Sequence, residues 1–379
     1  MAETRFESSD ALTQKKWATK LFYDVVYRTE LAPLMGTDGN SVIHIKNETS
    51  KGAGDNITFS LMKELQGDGF TSGEVAEGNG EALSLYSDSV SINELGHVVD
   101  TPKAGRSIDT QRVPINLRQA GKNGLMTWKQ KRMSQTFFYH VCGYTPINTS
   151  GGKYNGHNTV TAPTNVSGDD RHIFRDAASN NSDGDENLGS DDTMSLRFLD
   201  HMREAAETAN SPVRPINITG NYEAGGVDIS GGKYIVYLHP YQVTDLRTST
   251  SDGQWLDIQK AAMNGGMVSK NPIFSDALGE YNNLILKKAN HVTQGVSSSD
   301  GSAVTTVRRA VLLGAQACAI AYGRDGGAST YSWNEELIDH KRRLEISTFC
   351  LWGMKKCVFD SNDFSTVVGS TYAAAHTEG

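Results

Sequence analysis

Ile57-Thr-Phe-Ser-Leu-Met62 and Ala82-Leu-Ser-Leu-Tyr-Ser-Asp-Ser-Val-Ser-Ile92 both alternate polar and apolar residues, the period-2 pattern of strands with one covered face. Between them lie Gly67, Gly69, Gly73, Gly78 and Gly80, so Asn56 to Asp100 reads as one long hairpin with a glycine-rich tip. A two-stranded ribbon has little apolar material of its own and is marginal in water. Something outside the hairpin must cover it. The segment is also acidic: Glu64, Asp68, Glu74, Glu77, Glu81, Asp88, Glu94 and Asp100 face a single base, Lys63, for a net charge of −7.

On the N-terminal side, Trp17, Leu21, Phe22 and Val25 have helical spacing, which predicts an amphipathic helix over Ala11 to Tyr27 with Asp10 as its N-cap. A short β-like run follows at Ser41 to Ile45. On the C-terminal side, Gln111 to Val141 reads as a long helix whose regular part begins near Pro114 and ends at Gly143. Leu117, Leu125, Trp128, Phe137, Phe138 and Val141 form its apolar face. Gly121 and Gly124 interrupt it, each at a cost of roughly 1 kcal/mol relative to Ala.

Gly143 to Asp191 is polar and aperiodic, and loops of that length are usually functional or ordered by a partner. Thr193 to Ala209 reads as a second amphipathic helix capped by Asp192. The strand Tyr234-Ile-Val-Tyr-Leu238, an apolar core segment at Ala310 to Tyr322, and a closing β run from Ile346 to Phe359 complete the pattern.

The 379 residues suffice for a real core, and 37% hydrophobic with 21% charged residues excludes a disordered chain. A mean hydropathy of −0.44 agrees. The 38 glycines exceed the ~7% of average usage and favour turns and extended excursions. A net charge of −8 argues against a general nucleic-acid coat, which needs clustered Lys and Arg, but suits a wall that holds DNA without adhering to it. Cys142, Cys318, Cys350 and Cys357 make no CxxC or zinc spacing and read as buried thiols in a reducing compartment. The opening residues carry no signal-peptide pattern, and Ala310 to Tyr322 is too short to span a bilayer.

Catalytic and cofactor signatures are absent: there is no GxSxG, HExxH or GxxxxGK[ST]. Gly67-Asp-Gly69-Phe-Thr-Ser-Gly73 has one residue too many for a dinucleotide loop. Asp183-Gly-Asp185-Glu-Asn187-Leu-Gly189 begins like a calcium loop, but its turn glycine is late and Met194 stands where a bidentate Glu belongs. A solvated acidic loop is the better reading. His239, just after a strand, is better read as a backbone partner than as a site. The expectation is no enzyme, no cofactor and no metal.

The order of elements, together with several quoted stretches, resembles a known family. These stretches are Met1-Ala-Glu-Thr-Arg-Phe6, Gly52-Ala-Gly-Asp-Asn-Ile-Thr-Phe59 and Glu77-Gly-Asn-Gly-Glu-Ala-Leu83. They continue with Leu238-His-Pro-Tyr-Gln-Val-Thr-Asp-Leu-Arg247, Trp255, Asn271-Pro-Ile-Phe-Ser-Asp-Ala-Leu-Gly-Glu-Tyr-Asn282, Leu312-Leu-Gly-Ala-Gln-Ala317 and Trp352-Gly-Met-Lys-Lys356. The chain is similar to major capsid proteins of short-tailed bacteriophages, the N-four-like family, with an α+β Hong Kong 97-type capsid fold. The resemblance implies an N-terminal arm (1–47), an E-loop hairpin (48–104) and a P-domain with its spine helix and long loop (105–192). An A-domain (193–340) and a returning P-domain strand with a C-terminal tail (341–379) follow. It implies homo-hexamers and pentamers forming an icosahedral head assembled in the host bacterial cytoplasm. The implied partners are a portal protein at one vertex, a scaffold or decoration protein, and packaged double-stranded DNA held without sequence-specific binding, with no membrane. A cargo-enclosing bacterial compartment of the same fold, or a secreted or tail-associated β-rich binding or glycan-degrading protein, are the rival readings.

Charge supplies the candidate contact residues. Val113 to Cys142 is +5 with no acid, and Lys341, Arg342, Arg343, Lys355 and Lys356 against Glu345 make the closing run +4. The expectation is that the acidic hairpin, through Glu64, Asp68, Glu74, Glu77 and Glu81, docks on a neighbour's basic surface near Arg342, Arg343, Lys355 and Lys356. Complementary patches of this kind steer encounter and fix register even where single pairs are weak.

Overall fold

The computed structural model describes residues 31–46, 54–62, 80–103, 117–145, 158–175, 184–217, 232–248, 277–323 and 331–376. It also describes short pieces at 67, 69–72, 77–78, 107, 223–224 and 227–228. The helix expected over Ala11 to Tyr27, residues 111–116 and Trp255 lie outside these.

After a two-residue strand at Met35–Gly36 come β1 (Ile43–Lys46), the hairpin strands β2 (Asn56–Met62) and β3 (Leu85–Ser91), and β4 (Asn93–Pro102). The long helix α1 (Leu117–Val141), β5 (His172–Phe174), α2 (Leu196–Thr208), β6 (Tyr234–Leu238) and α3 (Pro240–Thr248) follow. The C-terminal part is all strand: β7 (Ala277–Tyr281), β8 (Leu284–Lys288), β9 (Gln294–Val296), β10 (Ala303–Leu313), β11 (Cys318–Tyr322), β12 (Tyr331–Ile338), β13 (Arg343–Lys356) and β14 (Thr366–Tyr372).

Two sheets carry the fold. The six-stranded sheet is built on β13, which pairs with β4, β12 and β11, and β11 continues to β1 and Met35–Gly36. The seven-stranded sheet runs β7-β8-β6-β10-β14-β5, with β9 also on β10. Alternation explains why β6 reads as an unbroken apolar run. Ile235 and Tyr237 enter one core with Val311 and Leu313, while Tyr234, Val236 and Leu238 enter a second with Ala310 and Leu312. A strand buried on both faces needs apolar side chains on both.

The first core also takes Ile43, Ile320, Trp352 and Met354 from the six-stranded sheet, so the two sheets share it. α1 joins them. Its Leu125 and Met126 pack on Leu344 and Ile346, while Phe137, Phe138 and Val141 sit in the shared core. Gly121 is explained by close approach: a Cβ there would lie 3.3 Å from Thr101 Cγ2 and 3.4 Å from Ile346 Cδ1. At the other end the backbone of Gly143 has φ +61°. Its N–H donates to His140 O at 3.2 Å and that of Tyr144 to Tyr139 O at 2.9 Å, the paired bonds of a Schellman cap. α2 covers the far face of the seven-stranded sheet with Phe198, Leu199 and Met202.

Several expectations are corrected here. Ala310 to Tyr322 is not one segment, because the chain leaves the seven-stranded sheet at Gly314 and enters the six-stranded sheet at Cys318. A Cβ at Gly314 would strike Arg214 O, so only glycine fits that crossing. The sheets therefore cut across the expected boundary at 340: β11 and β12 pair with β13, and Thr366–Tyr372, expected as a tail, is an inner strand of the other sheet. α2 begins at Leu196 with Ser195 as its N-cap, accepting from Phe198 N–H at 3.3 Å, while Asp192 instead accepts from Gly189 N–H. Finally, the hairpin ends at Ser91. Asn93–Pro102 belongs to the six-stranded sheet, paired along β13 from Trp352 to Arg343.

Candidate assembly surface

The hairpin is held at its base and bare beyond it. Ile57 and Val90 are buried against Ala321, and Phe59 packs edge-on against Phe359 with ring centroids 5.8 Å apart. Asp88 pairs with Lys355 and also accepts from Val358 N–H at 3.1 Å. Towards the tip this cover stops. Met62, Phe70, Leu83 and Leu85 are 61%, 52%, 60% and 67% exposed, an unusual density of large apolar groups in water. Glu77 and Glu81 are exposed among them. Glu64, Asp68 and Glu74 lie outside the described residues.

The basic half of the expected contact is largely spent within the chain. Lys356 is buried, 2.7 Å from Asp363 Oδ2, with both side chains out of solvent. Lys355 is held by Asp88, and Arg343 pairs with Asp100, an acid counted on the hairpin but located on β4. Lys356 and Lys355 are corrected as docking residues, because an inner partner already neutralises each, while Arg343 and Asp100 form a half-exposed pair. Arg342 remains outward, its side chain 67% exposed and only 3.7 Å from Asp339. It lies beside the turn Asp339, His340, Lys341, which holds three successive residues at φ +52°, +51° and +69°. Such backbone is costly without glycine. α1 is not the free basic surface its composition implies either: Lys122, Lys129 and Arg132 are buried and Arg118 grips Glu335 at 2.6 Å.

The outer face of the six-stranded sheet is different again. Phe349 lies over Gly96, and Val98 is 44% exposed beside it. Glu94, Asp100, Glu336 and Glu345 surround this apolar centre.

A buried polar joint, which sequence reasoning missed, fixes these surfaces relative to each other. Asp185 Oδ2 accepts from Arg309 Nε at 2.9 Å and from Val296 N–H at 2.7 Å. Arg309 Nη1 donates onward to Gly143 O at 2.7 Å and Cys142 O at 3.2 Å, the end of α1. His172 Nε2 lies 3.7 Å from Asp185 Oδ1 and 2.9 Å from Ser370 Oγ. Although burial opposes it, the nearby His172 ring and the charge of Arg309 hold the Asp185 carboxyl well below the usual carboxylate range. Burial lowers His172, which stays neutral. The six places involved lie on separate elements, and no spacing announces them.

Asp185 therefore points inward to an arginine and is unavailable to a calcium ion. No group of three or more His, Cys, Asp or Glu suited to a metal occurs among the described residues. His239 accepts from Tyr241 N–H at 3.2 Å through Nδ1, a backbone role.

Comparison with known proteins decides the family. The model of the phage capsid protein family matches residues 5–375. The chain belongs to the phage capsid protein family. It is 24% identical over 345 residues to the major capsid protein of Pseudomonas phage KPP25, covering 86% of this chain and 84% of that one. The capsid of Ralstonia phage GP4 superposes with TM-score 0.74 at 25% identity over 100% of this chain and 97% of its own. The capsid of cyanophage Pam1 gives 0.70 at 19% identity, covering 99% and 97%. The α+β architecture is the Hong Kong 97-type capsid fold, and the protein is a structural component of the virion capsid.

Proposed function

We propose that the chain is the repeating subunit of an icosahedral phage head, joining as hexamers and pentamers in the host cytoplasm around double-stranded DNA, with a portal protein at one vertex. Within that family we place it among the N-four-like capsid proteins, on the motifs from Leu238 to Arg247 and Asn271 to Asn282. Its role is structural rather than catalytic.

The observation that carries this reading is the hairpin beyond its base. Met62, Phe70, Leu83 and Leu85 are exposed on a ribbon that cannot stabilise itself, and a neighbouring subunit supplies the missing cover. The docking surface follows from what is left uncommitted. The hairpin tip, with Glu77 and Glu81, approaches a neighbour at Arg342 and the strained turn beside it. The apolar residues lie over Phe349 and Val98.

Sedimentation and negative-stain microscopy of the purified protein across salt and concentration test the reading. Closed shells or capsomer-sized rings are expected. A monomer under all conditions, with residues 56–100 resistant to protease, overturns it. Reversal of Glu74, Glu77 and Glu81 to Lys is expected to impair assembly and Arg342→Glu to restore part of it. Normal assembly of the triple variant at low salt removes the electrostatic contact while leaving the shell.

A further inference from the structure

Among the described residues, the outer edges of β2 and β4 are left without a backbone partner. β4 pairs with β13 without a register shift from Asn93↔Trp352 to Pro102↔Arg343. The next rung, Lys103 N–H to Arg342 O at 2.9 Å, sets the parity. In an antiparallel ladder, alternate residues turn their N–H and C=O to opposite sides. Leu95, His97, Val99 and Thr101 therefore face β13, while Glu94, Gly96, Val98, Asp100 and Pro102 face outward. Both ends of this outer edge are blunted. Pro102 has no N–H, and Glu94 N–H is taken by Asn93 Oδ1 at 2.7 Å. Between them, Gly96, Val98 and Asp100 are exposed, and no strand pairs there among the described residues.

The hairpin repeats the pattern. Ile92 N–H donates to Asp55 O at 2.8 Å, so Ser91 and Ser89 turn outward on β3, and Thr58, Ser60 and Met62 on β2. The β3 edge is closed by side chains. Asn158 exchanges two bonds of 2.9 Å with Ser91, while Asp88 Oδ1 and Lys355 Nζ take the N–H and C=O of Ser89. The β2 edge has no such closure among the described residues.

Long exposed edges are hazards that folded proteins block with proline, charge or a covering segment. Here the blocks stand at the ends and stop short of the centre. We propose that copies of this chain join by strand addition, the outer edge of β2 in one copy hydrogen-bonding to the outer edge of β4 in the next. This rests on the shell reading above and adds a specific backbone contact to it. Pairing β4 with a second β4 about a two-fold axis centred on His97 would set Glu94 against Asp100, and like charges directly opposite are destabilising. Thr58, Ser60 and Met62 on β2 bring no charge. A contact between two different edges is head-to-tail, and head-to-tail contacts whose rotation closes make rings.

Val98→Pro and Ser60→Pro each delete one outward N–H and leave the internal ladder intact, a position where strands accept proline. His97→Pro deletes an inward bond and serves as the contrast. The dissociated V98P and S60P subunits are expected to melt like wild type, while H97P melts lower. Each of the two outward variants needs at least about fivefold more protein to form shells, the worth of one net hydrogen bond. In wild type, amide exchange in peptides spanning 56–62 and 93–102 slows on assembly. Shell formation by folded V98P and S60P at wild-type concentration overturns the proposal. Shells that form with unchanged exchange in both peptides also overturn it while sparing the shell reading. If a variant does not fold, the wild-type exchange comparison decides alone, and a wild type that never assembles removes both proposals.

Discussion

Arg309 Nη2 lies 2.7 Å from Asp185 Oδ2, with both side chains almost wholly out of solvent. The same guanidinium holds the last carbonyls of α1, so one cation ties the long helix to the seven-stranded sheet. Removing one partner of a buried pair strands the other charge and costs about 3–5 kcal/mol. Arg309→Met and Asp185→Asn are each expected to lose that much in urea unfolding of the dissociated subunit. The double variant loses less than the two combined, because neither charge is then stranded.

Acid should weaken the subunit through His172. Burial lowers its folded pKa from 6.5, so below that value the unfolded chain takes a proton that the folded one refuses. The contribution of His172 is therefore complete above pH 6.5 and is lost as pH falls towards the folded value. His239, lowered to about 4 by burial and Arg308, acts in the same sense. Asp363 acts oppositely, since burial outweighs the pull of Lys356 and raises its carboxyl. The difference between wild type and His172→Gln isolates the first effect. Its urea midpoint gap should shrink steadily from pH 6.5 downward.

Two glycines, one inside α1 and one just past its C-terminal end, should respond with opposite sign. Gly124 is exposed with nothing within 4 Å of an added Cβ, so Gly124→Ala is expected to stabilise by up to about 1 kcal/mol. Gly143 sits at φ +61°, and a Cβ there would meet Pro163 N at 2.8 Å. Gly143→Ala should destabilise by more than about 1 kcal/mol, from the left-handed backbone before the clash is counted. Thermal melts of the two variants beside wild type check both.

All four cysteines are free and buried. Burial raises the thiols of Cys142 and Cys318, and pushes Cys357 up to about 12. Thiolate is the reactive form. A disulfide exchange reagent at pH 8 is expected to label none in the native subunit and four in denaturant. Rapid native labelling would show that one of these sites opens.

What the sequence made legible follows from what each residue reports locally. Alternation found the hairpin arms, an unbroken apolar run found β6, and Gly143 marked the end of α1. β14 escaped because Thr366, Ser370 and Thr371 are polar residues buried within the sheet, so their strand looks like a solvated tail. β10 and β11 merged into one segment because the turn between them is made of small residues and both strands are apolar. Charge sums misled for a related reason. They count Lys356, Lys355, Arg343 and Arg118 as surface bases, whereas Asp363, Asp88, Asp100 and Glu335 each hold one of them within the chain. The sign of a segment says nothing about which charges have already met.

The crossing of the chain between its two sheets bears on how the subunit is made. Ile43 to Lys46 find their partners at Cys318 to Ala321, and Val367 and Val368 fill a sheet that also holds residues from His172 onward. A chain still emerging from the ribosome has neither sheet complete, and pairings of such sequence separation close slowly. Competence for assembly therefore arrives only once β13 and β14 have both emerged and paired. Unfinished chains are excluded from a growing shell by the same topology that holds the finished ones together.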